Sequence, residues 1–257
     1  MQRFVDRRVI VTGAGSGIGQ ATVVRLLDEG ATVVAVDISA AGLTATTQLA
    51  AQAGHDARLT TVEVDVSVEA DVVRAVDAAV AGLGGLDVLV NAAAIQLCAH
   101  THEHSLADWN RTLAVNVTGL FLMTRQALPA LCASGHGVLV NFTSTAARFA
   151  HPYMAAYSAS KGAVLAFTHG VALEYASQGL RAVNIQPGGV DTPLAMGVIE
   201  QLPAGFDVNL WVKQFPALRG GTLGEPAQVA SVVAMVASDD GAFITGTEIR
   251  VDGGAHA

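Results

Sequence analysis

Tyr157 and Lys161 stand four residues apart in the run Tyr157-Ser158-Ala159-Ser160-Lys161. On a helix that spacing puts both side chains on one face. A free phenol titrates at a pH of about 10 and is a poor base at neutral pH. A neighbouring ammonium favours the phenolate, so the pair is suited to proton transfer. The small, apolar Gly162-Ala163-Val164-Leu165-Ala166-Phe167 that follows predicts a helix buried along most of its length. An ordinary helix surface can also carry one Tyr and one Lys, so the rest of the chain must decide between the two.

A second group of residues is suited to phosphate. Thr12-Gly13-Ala14-Gly15-Ser16-Gly17-Ile18-Gly19 follows the first strand-like run and opens a helix expected to reach Glu29, with Gly30 as its cap. Glycines let backbone approach a pyrophosphate, and the helix N-terminus offers it N–H groups and a positive dipole end. The spacing is G-x-x-x-G-x-G. The second strand then ends at Asp37, about 20 residues past the glycines, where an acid bonds the ribose hydroxyls of an adenosine. A carboxylate there repels a 2′-phosphate, and neither Ser16 nor Ile38 supplies a cation to hold one, so the expected cofactor is NAD rather than NADP. A helix-capping aspartate is the competing role, but Ser39 is better placed to cap. Asp65, at the end of the third strand, bonds an adenine amino group or merely closes a turn, and Ser67 is expected to cap the helix after it.

Other polar residues fall at strand ends or inside apolar helices. Ser144 follows the fifth strand and faces the side of the sheet where ligands bind. Asn116 sits among Leu113, Ala114, Val115, Val117 and Leu120 in a helix expected from about Leu106 to Leu131. Buried there it needs partners, as part of the core or of a proton relay. Asn91-Ala92-Ala93-Ala94 ends the fourth strand, and its small side chains leave room for a ligand or permit tight packing. His100, His102, Glu103 and His104 invite a metal hypothesis. Alternate residues converge only on a strand, however, and this run is a connection before a helix capped by Ser105, so no metal is expected.

The elements that must position these groups alternate along the chain. Strand-like runs fall at Arg8–Thr12, Thr32–Val36, Thr60–Val64, Leu86–Val90, Val138–Phe142, Ala182–Ile185 and Glu248–Val251, with helical stretches between them. Most are apolar on both faces, as buried parallel strands are. The expected fold is α/β, a doubly wound parallel sheet of seven strands with right-handed crossovers. The 257 residues suit one domain. A hydrophobic fraction of 51% with only 14% charged residues leaves much surface to hide and points to an oligomer. The net charge of −8 argues against nucleic acid or an acidic membrane as partner. Cys98 and Cys132 match no disulfide framework or metal spacing, and neither a signal-peptide core nor a membrane span is evident, so a cytoplasmic protein is expected.

Taken together these residues resemble the short-chain dehydrogenase/reductase family, in its compact single-domain branch. The matching motifs are Thr12-Gly13…Gly17-Ile18-Gly19, Asp37, Asp65-Val66, Asn91 with Ala93, Asn116-Val117-Thr118-Gly119, Ser144, Tyr157-x-x-x-Lys161, Pro187-Gly188…Val190…Thr192-Pro193 and the closing Thr245-Gly246…Val251-Asp252-Gly253-Gly254. They span essentially the whole chain. The resemblance implies a three-layer Rossmann fold over residues 1–257, assembled as a homotetramer. It implies that Tyr157 is the general acid/base, that Lys161 lowers its pKa and holds the nicotinamide ribose, that Ser144 holds the substrate oxygen, and that Asn116 anchors a relay water. Gly13, Ser16, Gly17, Ile18, Gly19, Asp37, Ile38, Asp65, Val66, Asn91, Ala93, Pro187, Gly188, Val190 and Thr192 would complete the cofactor site, the last two at the carboxamide. The departure is Asn91-Ala92-Ala93-Ala94 where the family has Asn-Asn-Ala-Gly.

A substrate lid is expected over about 191–220. It carries Leu194, Met196, Val198, Ile199, Leu202, Phe206, Leu210, Trp211 and Phe215, with Lys213 and Arg219 its only cations. An apolar lid suggests an apolar or cyclic secondary alcohol or ketone, unless those side chains only pack the lid on the body. Gln96, His151 and Tyr153 are candidate pocket residues. The chain is expected to be an oxidoreductase; a non-catalytic NAD-binding regulator or scaffold of the same fold is the alternative.

Overall fold

The computed structural model describes residues 2–256, apart from the side chains of Lys213 and Arg219. β1 (Arg8–Thr12) leads to α1 (Gly17–Asp28), followed by β2 (Thr32–Asp37), α2 (Ala40–Gln52), β3 (Leu59–Glu63) and α3 (Glu69–Leu83). β4 (Val88–Asn91) leads to α4 (Leu106–Leu113) and α5 (Leu120–Ala133), and β5 (Val138–Phe142) to α6 (Ala155–Glu174). After β6 (Arg181–Pro187) come α7 (Pro193–Gln201), α8 (Val208–Trp211) and α9 (Pro226–Ala237), and β7 (Thr247–Val251) closes the sheet.

The seven strands are parallel in the order β3-β2-β1-β4-β5-β6-β7. Chain order reverses between β1 and β4, which opens a crevice at the carboxyl ends of the strands. The β-branched runs bury both faces. Val9, Val11, Val33 and Val88 pack under α1, α2 and α9, against Val23, Leu26, Leu43 and Val233. Ile10, Val34, Leu89 and Leu139 point the other way, against Val72 and Val76 of α3, Leu122 and Met123 of α5, and Val171 of α6. The period-two alternation therefore builds three layers, and each fully buried Val or Leu stabilises them by roughly 1.5–3 kcal/mol.

Two local expectations are corrected. Ser67 does not cap α3, whose N-cap is Val68; its amide and hydroxyl instead bond Asp65 Oδ1 at 2.9 and 2.6 Å. The single helix expected from Leu106 to Leu131 is broken by a π-helical turn over Ala114–Gly119. The apolar period runs on through the turn, so the pattern hides the extra residue. Such turns often occur at functional sites, and this one contains Asn116. Ser105 caps α4 as expected, accepting from Asp108 N.

Candidate active site

The cleft lies at the carboxyl ends of the strands, and its nucleotide end is built from β1, β2 and β4. Gly13, Ser16, Gly17, Ile18 and Gly19 line it, with Asp37 and Ile38 beyond them. The glycines are required sterically. A Cβ on Gly19 would stand 2.0 Å from Gly13 O, and Gly17 has φ +52° and leaves 3.1 Å to Thr192 Cγ2. No side chain caps the N-terminus of α1 at Ser16, and its first turn holds no acid. Its N–H groups and positive dipole end therefore face the cleft without a carboxylate competing for them. Asp37 accepts from Gly15 N at 2.9 Å and Ser39 N at 2.8 Å, which fixes its carboxylate against the loop. Each oxygen keeps a further lone pair for a ribose hydroxyl. Asp65 and Val66 line the same end. A cradle of glycine, an uncapped helix start and a fixed acid fit an adenine dinucleotide.

Thr12 Oγ1 accepts from Ala92 N and Ala93 N at 3.1 and 3.2 Å, joining the ends of β1 and β4. Further along, Ala93, Pro187, Gly188, Val190 and Thr192 line the floor. Ser144 follows β5, and Tyr157 and Lys161 enter from one face of α6, all three within the same cleft and largely buried. The Ser144 hydroxyl stands beside the Tyr157 phenol and favours its ionised form. Lys161 Nζ donates to Phe142 O at 2.8 Å and lies 5.6 Å from the centre of the Tyr157 ring. An ammonium keeps two more donors for ribose oxygens.

Burial controls the electrostatics of this cluster. It pushes the Tyr157 phenol up to about 12, with the Ser144 hydroxyl pulling the other way. It pushes the Lys161 ammonium down to about 8. The expected lowering of the Tyr157 pKa by Lys161 is not found: burial sets the direction, and the opposing contribution comes from Ser144. The protein alone holds the phenol as a proton donor, and its use as a base requires further positive charge nearby.

A family model described as enoyl-(acyl carrier protein) reductase matches residues 13–256. The chain belongs to the short-chain dehydrogenase/reductase family. It is 37% identical over 257 residues to cis-4-hydroxycyclohexanecarboxylate dehydrogenase of Sinomonas cyclohexanicum, covering 100% of this chain and 99% of that one. It is 33% identical over 259 residues to levodione reductase of Leifsonia aquatica, covering 99% and 96%. A crystal structure of levodione reductase matches with a TM-score of 0.90 at 32% identity over 98% of both chains. Like other short-chain dehydrogenases/reductases, this member is an oxidoreductase of small molecules that uses a nicotinamide cofactor.

Three expected site residues have side chains that do not line the cleft. Asn91 is buried and its side chain stands outside the cleft wall; its amide donates to Thr124 Oγ1 at 3.1 Å and Asn141 Oδ1 at 3.0 Å, so the side chain braces the sheet. Asn116 is also behind the wall. Its Oδ1 accepts from Ile95 N at 2.8 Å, and its Nδ2 donates to Ile95 O at 2.9 Å and Ser160 Oγ at 3.0 Å. It positions the Ile95 loop and the residue beside Lys161. Tyr153 leaves the cleft altogether: its hydroxyl accepts from Asp207 N at 2.7 Å, and its ring meets Phe206 and His100 edge-on. Its backbone adopts φ +67°, which turns the side chain towards α8.

Gln96 and His151 do line the cleft, with Met154, Trp211, Gln214 and Phe215 beside them. Trp211, Gln214 and Phe215 belong to the lid, where the sequence lacks strand or heptad periodicity and so gives no facing; Met154 stands at the start of α6, outside any motif. Arg111 was missed too; it reaches Ser67 Oγ at 3.0 Å and Asp65 at 3.6 Å and joins the adenine end. Its spacing from Ser105 by six residues on α4 carries no motif. Among the described residues, no group of three or more His, Cys, Asp or Glu could hold a metal ion, and no helix is long and apolar enough to cross a membrane.

Proposed function

We propose that the protein is an NAD-dependent dehydrogenase/reductase that interconverts a neutral cyclic secondary alcohol and its ketone. The observation that carries this reading is the Ser144–Tyr157–Lys161 cluster, which stands where the glycine cradle meets an apolar lid. Gly13, Ser16 to Gly19 and the start of α1 would hold the pyrophosphate, Asp37 the adenosine ribose, Lys161 the nicotinamide ribose, and Val190 with Thr192 the carboxamide. Bound there, the nicotinamide supplies the carbon that accepts or gives the hydride and, when oxidised, a positive charge.

The chain's own groups handle the proton. In reduction, Tyr157 Oη–H donates to the developing alkoxide while Ser144 Oγ–H orients and stabilises that oxygen. In oxidation, the phenolate takes the alcohol proton. Since burial raises the phenol to about 12, oxidation should speed up as pH rises, while reduction should keep its proton donor until the pH nears that value. Asp37 with Ile38 beside it favours NAD over NADP, because no described cation stands there to meet a 2′-phosphate.

We take 191–220 as the lid of a single domain. Val198 packs with Met154 and Tyr157, which answers for part of its apolar content. Leu194, Met196, Ile199, Trp211 and Phe215 face the cleft, while Phe206 and Leu210 do not. Among the described side chains of the cleft the cations are Arg111, at the adenine end, and Lys161, whose Nζ is held by Phe142 O beside Tyr157; Lys213 and Arg219 lie outside the described side chains. The relatives named for a ring alcohol and a ring diketone agree with a cyclic substrate. Leu173 on α6 is 84% exposed, and Phe121 and Phe167 expose an edge-to-face pair. These faces support a homotetramer, testable by light scattering.

The reading is tested by following reduced cofactor as cyclohexanol, cyclohexanediols and linear secondary alcohols are supplied with NAD or NADP. NADH formation with ring alcohols is expected, and faster with NAD. Formation with none of them, or a preference for NADP, contradicts it.

A further inference from the structure

Besides Ser144, Tyr157 and Lys161, the substrate end of the cleft is lined by the uncharged polar side chains of Gln96, His151 and Gln214. His151 Nε2 lies 3.2 Å from Thr145 Oγ1, and Gln214 on the lid stands beside the ring and favours its protonated form. Its other flank is backed by His256, whose ring stacks on Phe149 at 4.2 Å and lies 5.6 Å from His151 with the planes at 23°. Asp252 holds His256 in that place, accepting from its backbone N at 3.2 Å. Burial keeps His151 uncharged down to a pH of about 4, with the charge of His256 acting in the same sense. Gln214 Nε2 is buried and meets no acceptor. Gln96 Nε2 reaches only the Met154 sulfur, at 2.8 Å, and a thioether is a weak acceptor. Two amide donors in the cleft wall therefore lack an oxygen, and a buried donor left so is unfavourable until an acceptor arrives.

Ser144 and Tyr157 already account for the reacting oxygen. We propose that His151, Gln214 and Gln96 form a second oxygen-binding subsite, so that the enzyme takes ring substrates carrying a further neutral hydroxyl or carbonyl. Neutral amides and a neutral imidazole suit such a group; a carboxylate or phosphate would call for cations. This rests on the ring-alcohol reading above and adds to it the number of oxygens the substrate carries.

The test compares kcat/KM for cyclohexanol with that for 1,2-, 1,3- and 1,4-cyclohexanediol, using NAD. At least one diol should exceed cyclohexanol by about tenfold or more, because a site built around a hydroxyl rejects the analogue lacking it. Gln214→Leu and His151→Leu should each cut that ratio by about tenfold, and Gln214→Asn should restore part of it. Gln96→Leu gives an independent variant on a different element should either lid-side change fail to fold. NADH affinity, followed by fluorescence, should be the same in all variants. Cyclohexanol turned over as well as every diol, or a diol preference that survives in the variants, overturns the subsite alone. Turnover of none of the four would overturn the ring-alcohol reading and the subsite with it.

Discussion

The nucleotide end of the cleft is made from strand ends and glycines, whereas the substrate end is made from helices inserted between β6 and α9. At the first, backbone positions are fixed to within tenths of an ångström: Gly19 could not accept a single added carbon, and Asp37 is bonded on both oxygens. At the second, large side chains stand half in solvent, with Ile199 56% and Met196 49% exposed. The contrast shows how one sheet can keep a common cofactor while its loops vary the substrate. Ser144, Tyr157 and Lys161 sit at the junction, anchored on β5 and α6, so the chemistry belongs to the rigid end.

That contrast can be broken most severely at the junction. Tyr157→Phe removes the proton donor but little volume, and turnover should fall by about 10²–10⁴ while NADH affinity stays within about threefold. A variant keeping more than a tenth of the rate would exclude Tyr157 as the acid/base. At the nucleotide end, Asp37→Ala with Ile38→Arg should move the NADP/NAD ratio of kcat/KM towards NADP by about a hundredfold, as expected for two charge-assisted hydrogen bonds exchanged. An unchanged ratio would remove Asp37 from cofactor choice. At the substrate end, Tyr153→Phe frees Asp207 N and loosens α8. KM for the alcohol should rise by about three- to tenfold with kcat nearly kept; an unchanged KM would mean that the Tyr153–Asp207 contact does not support the lid.

The smallest effect concerns stability. Burial lowers the Lys161 pKa from 10.5 to about 8, so between those values the unfolded chain binds more protons than the folded one. Stability attributable to this residue therefore rises with pH across that window and is lost as pH falls through it. Lys161→Met should abolish that rise, by about 1–3 kcal/mol in urea unfolding. Equal pH slopes for wild type and variant would mean that the ammonium is not strained by burial.

The two ends also differed in how far they could be read from sequence. Glycine spacing, the strand-final Asp37 and the Tyr157/Lys161 face follow from backbone geometry, which local sequence encodes. So do the seven strands, whose expected ends fall within two residues of those found. The side-chain directions of Asn91, Asn116 and Tyr153 were not legible for one reason: the direction of a polar side chain depends on partners distant in sequence, here Thr124, Ile95 and Asp207. The π turn was invisible because one inserted residue leaves the apolar stripe intact. The lowered expectation for the Tyr157 pKa failed because burial on all sides, unlike a neighbour at i+4, cannot be counted from sequence.

The central claim is that hydride passes directly between a ring carbinol carbon and the nicotinamide while Tyr157 handles only the proton. A cyclohexanediol deuterated at its carbinol carbons, incubated with NAD, tests this most directly. Mass spectrometry of the reduced cofactor should find one deuterium per molecule formed. Reduced cofactor free of deuterium, with the label released to water, would contradict it.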